Sequence, residues 1–145
     1  MKREIKFRAW LTELEQLIPA EQVLGFVSEP IDEKMTHDRI LQYSNLPLKG
    51  GYCVERENSE YYVLMQYTGI KDKTGKEIYE GDILKVDNNE TIDMWMRGEV
   101  GEVKFIPSRF TLCLKNDDKK MLTEDFEDCV TVIGNVFENH ELLKK

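Results

Sequence analysis

The stretch Leu64–Asp82, LMQYTGIKDKTGKEIYEGD, determines most of what the sequence says about the fold. It begins with an apolar-rich run, passes through a turn rich in lysine and aspartate around Gly75, and ends where a second β-rich run begins. Glycine accepts a positive φ and aspartate bonds to nearby backbone amides, so this composition is typical of a tight turn. The stretch therefore predicts a strand, a turn and a second strand. It holds no arrangement of nucleophile, base or metal ligands.

Beyond this stretch, short apolar runs alternate with turn residues. Val, Ile, Phe and Leu recur at a spacing typical of strands in a small barrel, which we expect at residues 83–86, 92–96, 99–106, 110–114 and 130–137. The Gly81-Asp82 pair before an alternating strand resembles the opening of SH3-like barrels. We predict a mainly β fold, with a small SH3-like or meandering β-barrel in the C-terminal half, a helical turn at residues 123–128, and a frayed tail at 138–145.

The N-terminal half is also predicted to be β-rich, with one or two short helices in the whole chain. Residues 4–10 alternate between apolar and polar side chains, as in a half-buried strand. In residues 11–18, Thr12 and Glu15 have the spacing of a capping box and leucines recur at helical intervals, which predicts a short helix ended by Pro19.

Three further segments complete this half of the chain. Residues 23–27 are expected to form a strand, and residues 52–57 and 60–67 a hairpin across Asn58 and Ser59. Residues 28–51 follow no regular pattern and suit a connector. We therefore divide the chain into an N-terminal lobe, residues 1–66, and a C-terminal domain, residues 67–145.

Size and charge restrict the function classes. The chain has 145 residues, 41% of them hydrophobic, and a formal net charge of −8. Residues 1–66 carry 8 basic and 11 acidic side chains, and residues 67–145 carry 12 and 17, so neither half is basic. Nucleic-acid binding depends on neutralising phosphates, so this balance argues against it as the main task. Because no apolar run approaches the ~20 residues of a membrane span, we predict a cytoplasmic protein without membrane association.

Metal binding, cofactor binding and catalysis are not expected. Cys53, Cys113 and Cys129 form no CxxC pair, and His37 and His140 are distant from them in sequence. The acidic candidates for acid–base chemistry have ordinary explanations at strand entries, turns and exposed helical turns; they are Glu80 with Asp82, Asp117 with Asp118, and Glu124, Asp125, Glu127 and Asp128. We predict that the protein is not an enzyme and needs no cofactor.

Two features of the sequence are candidates for binding a partner. The turn IKDKTGK at residues 70–76 presents three lysines but has one glycine and no helix after it, so a solvated turn is favoured over a phosphate loop. Tyrosines and the segment Met94-Trp95-Met96 exceed what a small barrel must bury, and exposed Trp and Met favour interfaces. The candidate partner-binding residues are Lys71, Asp72, Lys73, Lys76, Tyr79 and Trp95.

Three blocks of the sequence resemble the YopX family of small phage and prophage proteins. They are EIKFRAW near the N-terminus, LMQYTGIKDKTGKEIYEGDIL in the centre and VIGNVFENHELL near the C-terminus. The segment after Trp10 and residues 28–51 depart from that pattern. The resemblance implies a β-rich protein with a barrel-like C-terminal portion, from phages or prophages of Gram-positive bacteria. It implies no catalytic residues.

Two functions follow as hypotheses. The first is a non-enzymatic phage or prophage accessory protein in the host cytoplasm, which binds a protein partner or assembles with itself. The second is a small-barrel module that contacts nucleic acid through the turn at Lys71–Lys76 and nearby tyrosines, a basic-plus-stacking arrangement.

Overall fold

A computed structural model describes residues 4–12, 15–30, 36–44, 52–57, 62–88 and 93–144. The chain divides into two compact units, Lys6–Met65 and Met1–Ile5 with Gln66–Lys145. The described residues form twelve strands and four 3-10 turns but no α-helix, so the mainly β prediction is confirmed. No helix among these residues is long and apolar enough to cross a membrane.

The N-terminal unit contains two groups of antiparallel strands. Its strands are β1 Phe7–Leu11, β2 Gln16–Ile18, β3 Val23–Pro30, β4 Thr36–Ser44, β5 Tyr52–Glu57 and the start of β6 Tyr62–Lys71. Strand β1 lies between β2 and β6, while β3, β4 and β5 form a three-stranded sheet in that order. A 3-10 turn at Ala20–Gln22 precedes β3. The small core beside β1 consists of Ala9, Leu11, Ile18, Val23 and Leu64.

The predicted helix at residues 11–18 is wrong. Leu11 ends β1 and pairs with Gln16 of β2, and Ala9 pairs with Ile18. Glu15 has a φ of 48°, which an α-helix does not allow. So short a helix would leave its apolar stripe without enough support, whereas two strands bury Leu11 and Ile18 together.

The predicted hairpin of residues 52–57 with 60–67 is also wrong in its pairing. Both strands exist, but β5 pairs with β4, as in Leu41↔Glu55, and β6 adjoins β1 and β7. Asn58 and Ser59 lie outside the described residues. Strand β4 falls in the segment predicted to be irregular. Alternation of side chains predicts that a segment is extended, but it does not specify the neighbouring strand.

The C-terminal unit is built on a five-stranded antiparallel sheet. After β7 Glu77–Tyr79, its strands are β8 Asp82–Val86, β9 Val100–Ile106, β10 Arg109–Leu114, β11 Lys119–Met121 and β12 Val130–Asn135. The order β11-β10-β9-β8-β12 makes the first four strands a meander, and β12 returns to the far side of β8. This sheet is a curled half-barrel, as the barrel prediction implies. Its core includes Ile78, Leu84, Val103, Leu112 and Val130, all with no solvent exposure.

Two predictions for this unit are corrected. The predicted strand at residues 92–96 is wrong over its described part, because Met94–Met96 is a 3-10 turn in which only Met96 is buried, while residue 92 lies outside the described residues. The segment after β12 is not simply frayed, because His140–Leu143 forms a 3-10 turn and the Lys115 Nζ donates a hydrogen bond to the Lys144 carbonyl at 3.1 Å. The expected turn near Thr123 is present as the 3-10 turn Glu124–Phe126.

Candidate partner-binding surfaces

The lysine-rich turn between β6 and β7 is organised by the Asp72 carboxylate, which is buried. Its Oδ1 accepts hydrogen bonds from the Thr74 amide (2.8 Å), the Thr74 hydroxyl (2.6 Å) and the Lys76 amide (3.0 Å). Its Oδ2 accepts one from the Val132 amide of β12 at 2.9 Å. Burial raises the pKa of Asp72, but the hydrogen bonds from Thr74, Val132 and Lys76 outweigh it and lower the pKa below 3.8.

This turn covers part of the outer edge of β12. The Lys73 amide donates to the Val130 carbonyl at 3.2 Å, and the Val132 amide donates to Asp72. The Lys71 amide is bound to Glu127 Oε1 at 3.1 Å. Backbone groups of β12 that a further strand would need are therefore already bonded to the turn. Asp72 therefore holds the turn against β12, and because it is buried it is not part of the exposed candidate surface.

The three lysine side chains of the turn remain exposed. The Nζ of Lys73 lies 2.8 Å from both carboxylate oxygens of Asp87. Glu127 is bound to the backbone of the same turn. Acidic groups therefore alternate with Lys71, Lys73 and Lys76, and the turn does not form a uniformly basic surface.

Tyr79 belongs to the buried framework. Its ring is 5.5 Å from the ring of Tyr67, and its hydroxyl donates to Glu77 Oε2 at 2.7 Å. Its amide donates to the buried Asp82 Oδ2 at 2.8 Å, which fixes the turn at Gly81, where φ is 81°. The motif YEGD therefore carries a structural turn, and Tyr79 is 5% exposed.

Trp95 is the exposed aromatic among the predicted site residues. On the 3-10 turn, Met94 is 81% exposed and Trp95 44% exposed, whereas Met96 enters the core at 1%. A strand would have placed either Trp95 or both methionines outward. A 3-10 turn has three residues per turn, so it can present two consecutive apolar side chains while burying the third.

The predicted site residues therefore divide between two places. Lys71, Asp72, Lys73, Lys76 and Tyr79 belong to the β6–β7 turn and its flanking strands. Trp95 belongs to the turn after β8, and no hydrogen bond, ion pair or ring contact among the described residues joins it to the lysine turn.

Sequence reasoning missed a groove on the outer face of β9 and β10. Its volume is about 420 Å³, and its lining includes three lysines on three different segments: Lys104, Lys115 and Lys119. Glu102, which pairs with Lys104 at 3.1 Å, and Asp117 add negative charge. Ile106 and Leu143 supply apolar surface. The alternation Glu102, Lys104, Ile106 places these residues on one face of β9, but the sequence does not reveal which strand adjoins it.

The two described cysteines are not activated thiols. Burial raises the pKa of Cys113, against the opposing effect of Lys104 and Lys119. Burial, Asp128, Asp87 and Asp125 raise the pKa of Cys129. A thiolate is the reactive form, so both side chains are poor nucleophiles at neutral pH. In the described ranges, no group of three His, Cys, Asp or Glu residues could hold a metal ion.

Comparison with known proteins adds two findings. A family profile described as YopX protein matches residues 6–144. Among solved structures, the chain is similar to the crystal structure of protein EF1440 from Enterococcus faecalis, with 27% identity and a TM-score of 0.58. That similarity covers 99% of this chain and 100% of the other. No curated protein matched.

Proposed function

Because this chain belongs to the YopX family, with the match extending over residues 6–144, we propose that it is a non-enzymatic phage or prophage accessory protein that associates with itself in the host cytoplasm. The exposed side chains of Met94 and Trp95 are the observation that carries this proposal. We name their 3-10 turn, Met94–Met96, the apolar turn.

The apolar turn suits an interface because it is both exposed and anchored. Met96 is 1% exposed and fixes the turn to the core. Little backbone conformational entropy is therefore lost when Met94 and Trp95 become covered. Tryptophan and methionine are enriched at interfaces, and tryptophan is frequent among the residues that dominate binding energy. A second copy supplies the same two side chains, so the turn can pack against itself across a two-fold axis.

The acidic residues of the central motif support the non-enzymatic part of the proposal. Asp72 and Asp82 accept backbone hydrogen bonds that hold two turns. Four internal donors lower the pKa of Asp72, so its carboxylate is stabilised as the anion and is poorly suited to exchanging protons with a substrate.

The nucleic-acid alternative stays a prediction with weaker support. Lys71, Lys73 and Lys76 are exposed, but Lys73 is paired with Asp87, and Glu127 adjoins Lys71. If that alternative holds, single-stranded DNA should bind at low salt and dissociate steeply as salt rises.

The self-association proposal predicts a change of mass on replacing Trp95. Wild-type protein should scatter light as a multiple of 17.0 kDa, and Trp95→Lys should weaken association by about 30-fold or more because a lysine charge would be buried. Size-exclusion chromatography with light scattering over a dilution series measures this.

The matched control is Ile5→Lys, since Ile5 is 66% exposed and lies outside the apolar turn. This variant should keep the wild-type mass. A monomeric wild-type protein, or a Trp95→Lys variant with unchanged dissociation, would refute self-association through the apolar turn.

A further inference from the structure

Strand β11 is an edge of the five-stranded sheet to which no other described strand is paired. Opposed residues of antiparallel strands alternate between hydrogen-bonded and non-hydrogen-bonded pairs. The Leu122 amide donates to the Phe110 carbonyl at 2.9 Å, and the Leu114 amide donates to the Asp118 carbonyl at 2.8 Å. Lys120 is opposite Leu112, midway between these two hydrogen-bonded pairs, so by the same alternation its amide and carbonyl point toward β10. The amides and carbonyls of Lys119 and Met121 therefore point away from the sheet.

The opposite edge differs in this respect. On β12, the outward carbonyl of Val130 and the outward amide of Val132 are bonded to Lys73 and Asp72. Among the described residues, no hydrogen bond to a backbone group of Lys119 or Met121 is seen outside the pairing with β10. The turn therefore covers part of one edge of this sheet, whereas the described residues leave the edge at β11 able to accept a strand.

Side chains on the outer face beside β11 favour a strand with acidic residues on that face. Lys119 lies on the outer face and lines the groove of about 420 Å³ with Lys104 and Lys115. Lys120 lies on the other face, where its Nζ is 3.2 Å from Asp93 Oδ2, and it lines a second cavity of about 170 Å³ with Met96 and Phe126. Asp93 and Asp125 also line this cavity, so it suits the apolar side chains of an added strand and not the acidic ones. The side chains of an added strand alternate between the same two faces, so successive residues would meet one cavity and then the other.

We propose that β11 binds an extended acidic segment of a partner protein as a sixth strand of the sheet. The backbone groups of Lys119 and Met121 supply the strand hydrogen bonds. Acidic side chains on the outer face of that segment are attracted by Lys119, Lys104 and Lys115. Asp117 and Glu102 reduce the positive charge of this face without reversing it. The lysine groove contains no residue of the apolar turn, whereas Met96 of that turn lines the second cavity. The proposal goes beyond the self-association proposed above.

The probe is a fluorescein-labelled ten-residue peptide in which glutamate alternates with valine. Wild-type protein should bind it in a polarisation assay at low salt, and the same peptide with lysine in place of glutamate should bind at least tenfold more weakly. Met121→Pro deletes an outward-pointing amide, a change that edge strands tolerate, and should weaken binding by about threefold to tenfold. Met121→Ala keeps the amide and should stay within about twofold of wild type.

A charge-reversal variant tests the same surface without altering the backbone. Lys119 is exposed, so the Lys119→Glu variant should fold normally. It should bind the glutamate peptide more weakly than wild type does and the lysine peptide more tightly. No binding of the glutamate peptide, equal binding by wild type and Lys119→Glu, or preference for a ten-nucleotide single-stranded DNA would overturn the proposal. Measuring peptide binding in Trp95→Lys separates the two surfaces, because that variant should bind the peptide as wild type does.

Discussion

Replacing Asp72 with alanine is expected to lower the free energy of unfolding by about 3 kcal/mol. The substitution removes the acceptor for four donors: the Thr74 amide and hydroxyl, and the amides of Lys76 and Val132. Solvent can reach the exposed Thr74 and Lys76, but the Val132 amide is in a partly buried site. Urea unfolding at pH 7 measures the loss.

Asp72→Asn separates the charge from the shape of the side chain. It can preserve the Oδ1 acceptor, but its amide group would face the Val132 amide with two donors and no acceptor. We expect an intermediate loss, about half of that for alanine. An alanine variant as stable as wild type would contradict the framework role of Asp72.

The stabilisation by Asp72 should depend on pH. Because the folded-state pKa is below 3.8, the carboxylate binds protons less readily when folded than when unfolded. Its contribution is therefore complete above the unfolded-state pKa and is lost as the pH falls through the folded-state pKa. The stability difference between wild type and Asp72→Asn should be constant from about pH 7 to 5 and shrink below about pH 4. A difference that grows on acidification would contradict this assignment.

The second large effect is expected at Gly101, in the centre of the five-stranded sheet. Gly101 of β9 lies between Leu84 of β8 and Leu114 of β10. An added Cβ would lie 2.6 Å from the Cys113 carbonyl oxygen and 3.0 Å from Leu112 Cδ1. The first neighbour is backbone held by the sheet, so it cannot rotate away. We expect Gly101→Ala to cost roughly 2–3 kcal/mol in thermal or urea unfolding.

Gly75→Ala is the matched control. Gly75 has nothing within 4 Å of the added Cβ, and its φ is 86°, so alanine there meets strain but no steric clash. Its cost should be about 1 kcal/mol. If Gly101→Ala were the milder of the two substitutions, close approach of β9 and β10 would not explain the glycine.

Strands with one buried face were predictable from sequence. Val103 on β9, and Phe110, Leu112 and Leu114 on β10, alternate with more polar residues because one side of the sheet faces the core. Phe105 continues the alternation on β9 but is 51% exposed. Strand β11 was not predictable, since Lys119, Lys120 and Met121 are all exposed and carry no alternation. Met94–Met96 is apolar without being a strand, because one buried methionine suffices to anchor a 3-10 turn.

Only those parts of the candidate site that depend on local sequence were predictable. The turn at residues 72–76 was expected from its Gly and Asp content, while the interface role of Trp95 stays a prediction. The attachment of Asp72 to Val132 joins residues 60 positions apart, and local patterns contain no information on such contacts. The lysine groove depends likewise on which strands become neighbours.

The covered edge of β12 limits what strand addition to this sheet can build. A sheet with two accessible sides can recruit subunit after subunit and grow into a fibre. Here the β6–β7 turn is bonded to the outward groups of Val130 and Val132, so among the described strands of this sheet β11 has the more accessible edge. If β11 binds a strand as proposed, we expect growth by this route to stop once that edge is filled, at one added strand or at a closed pair of sheets.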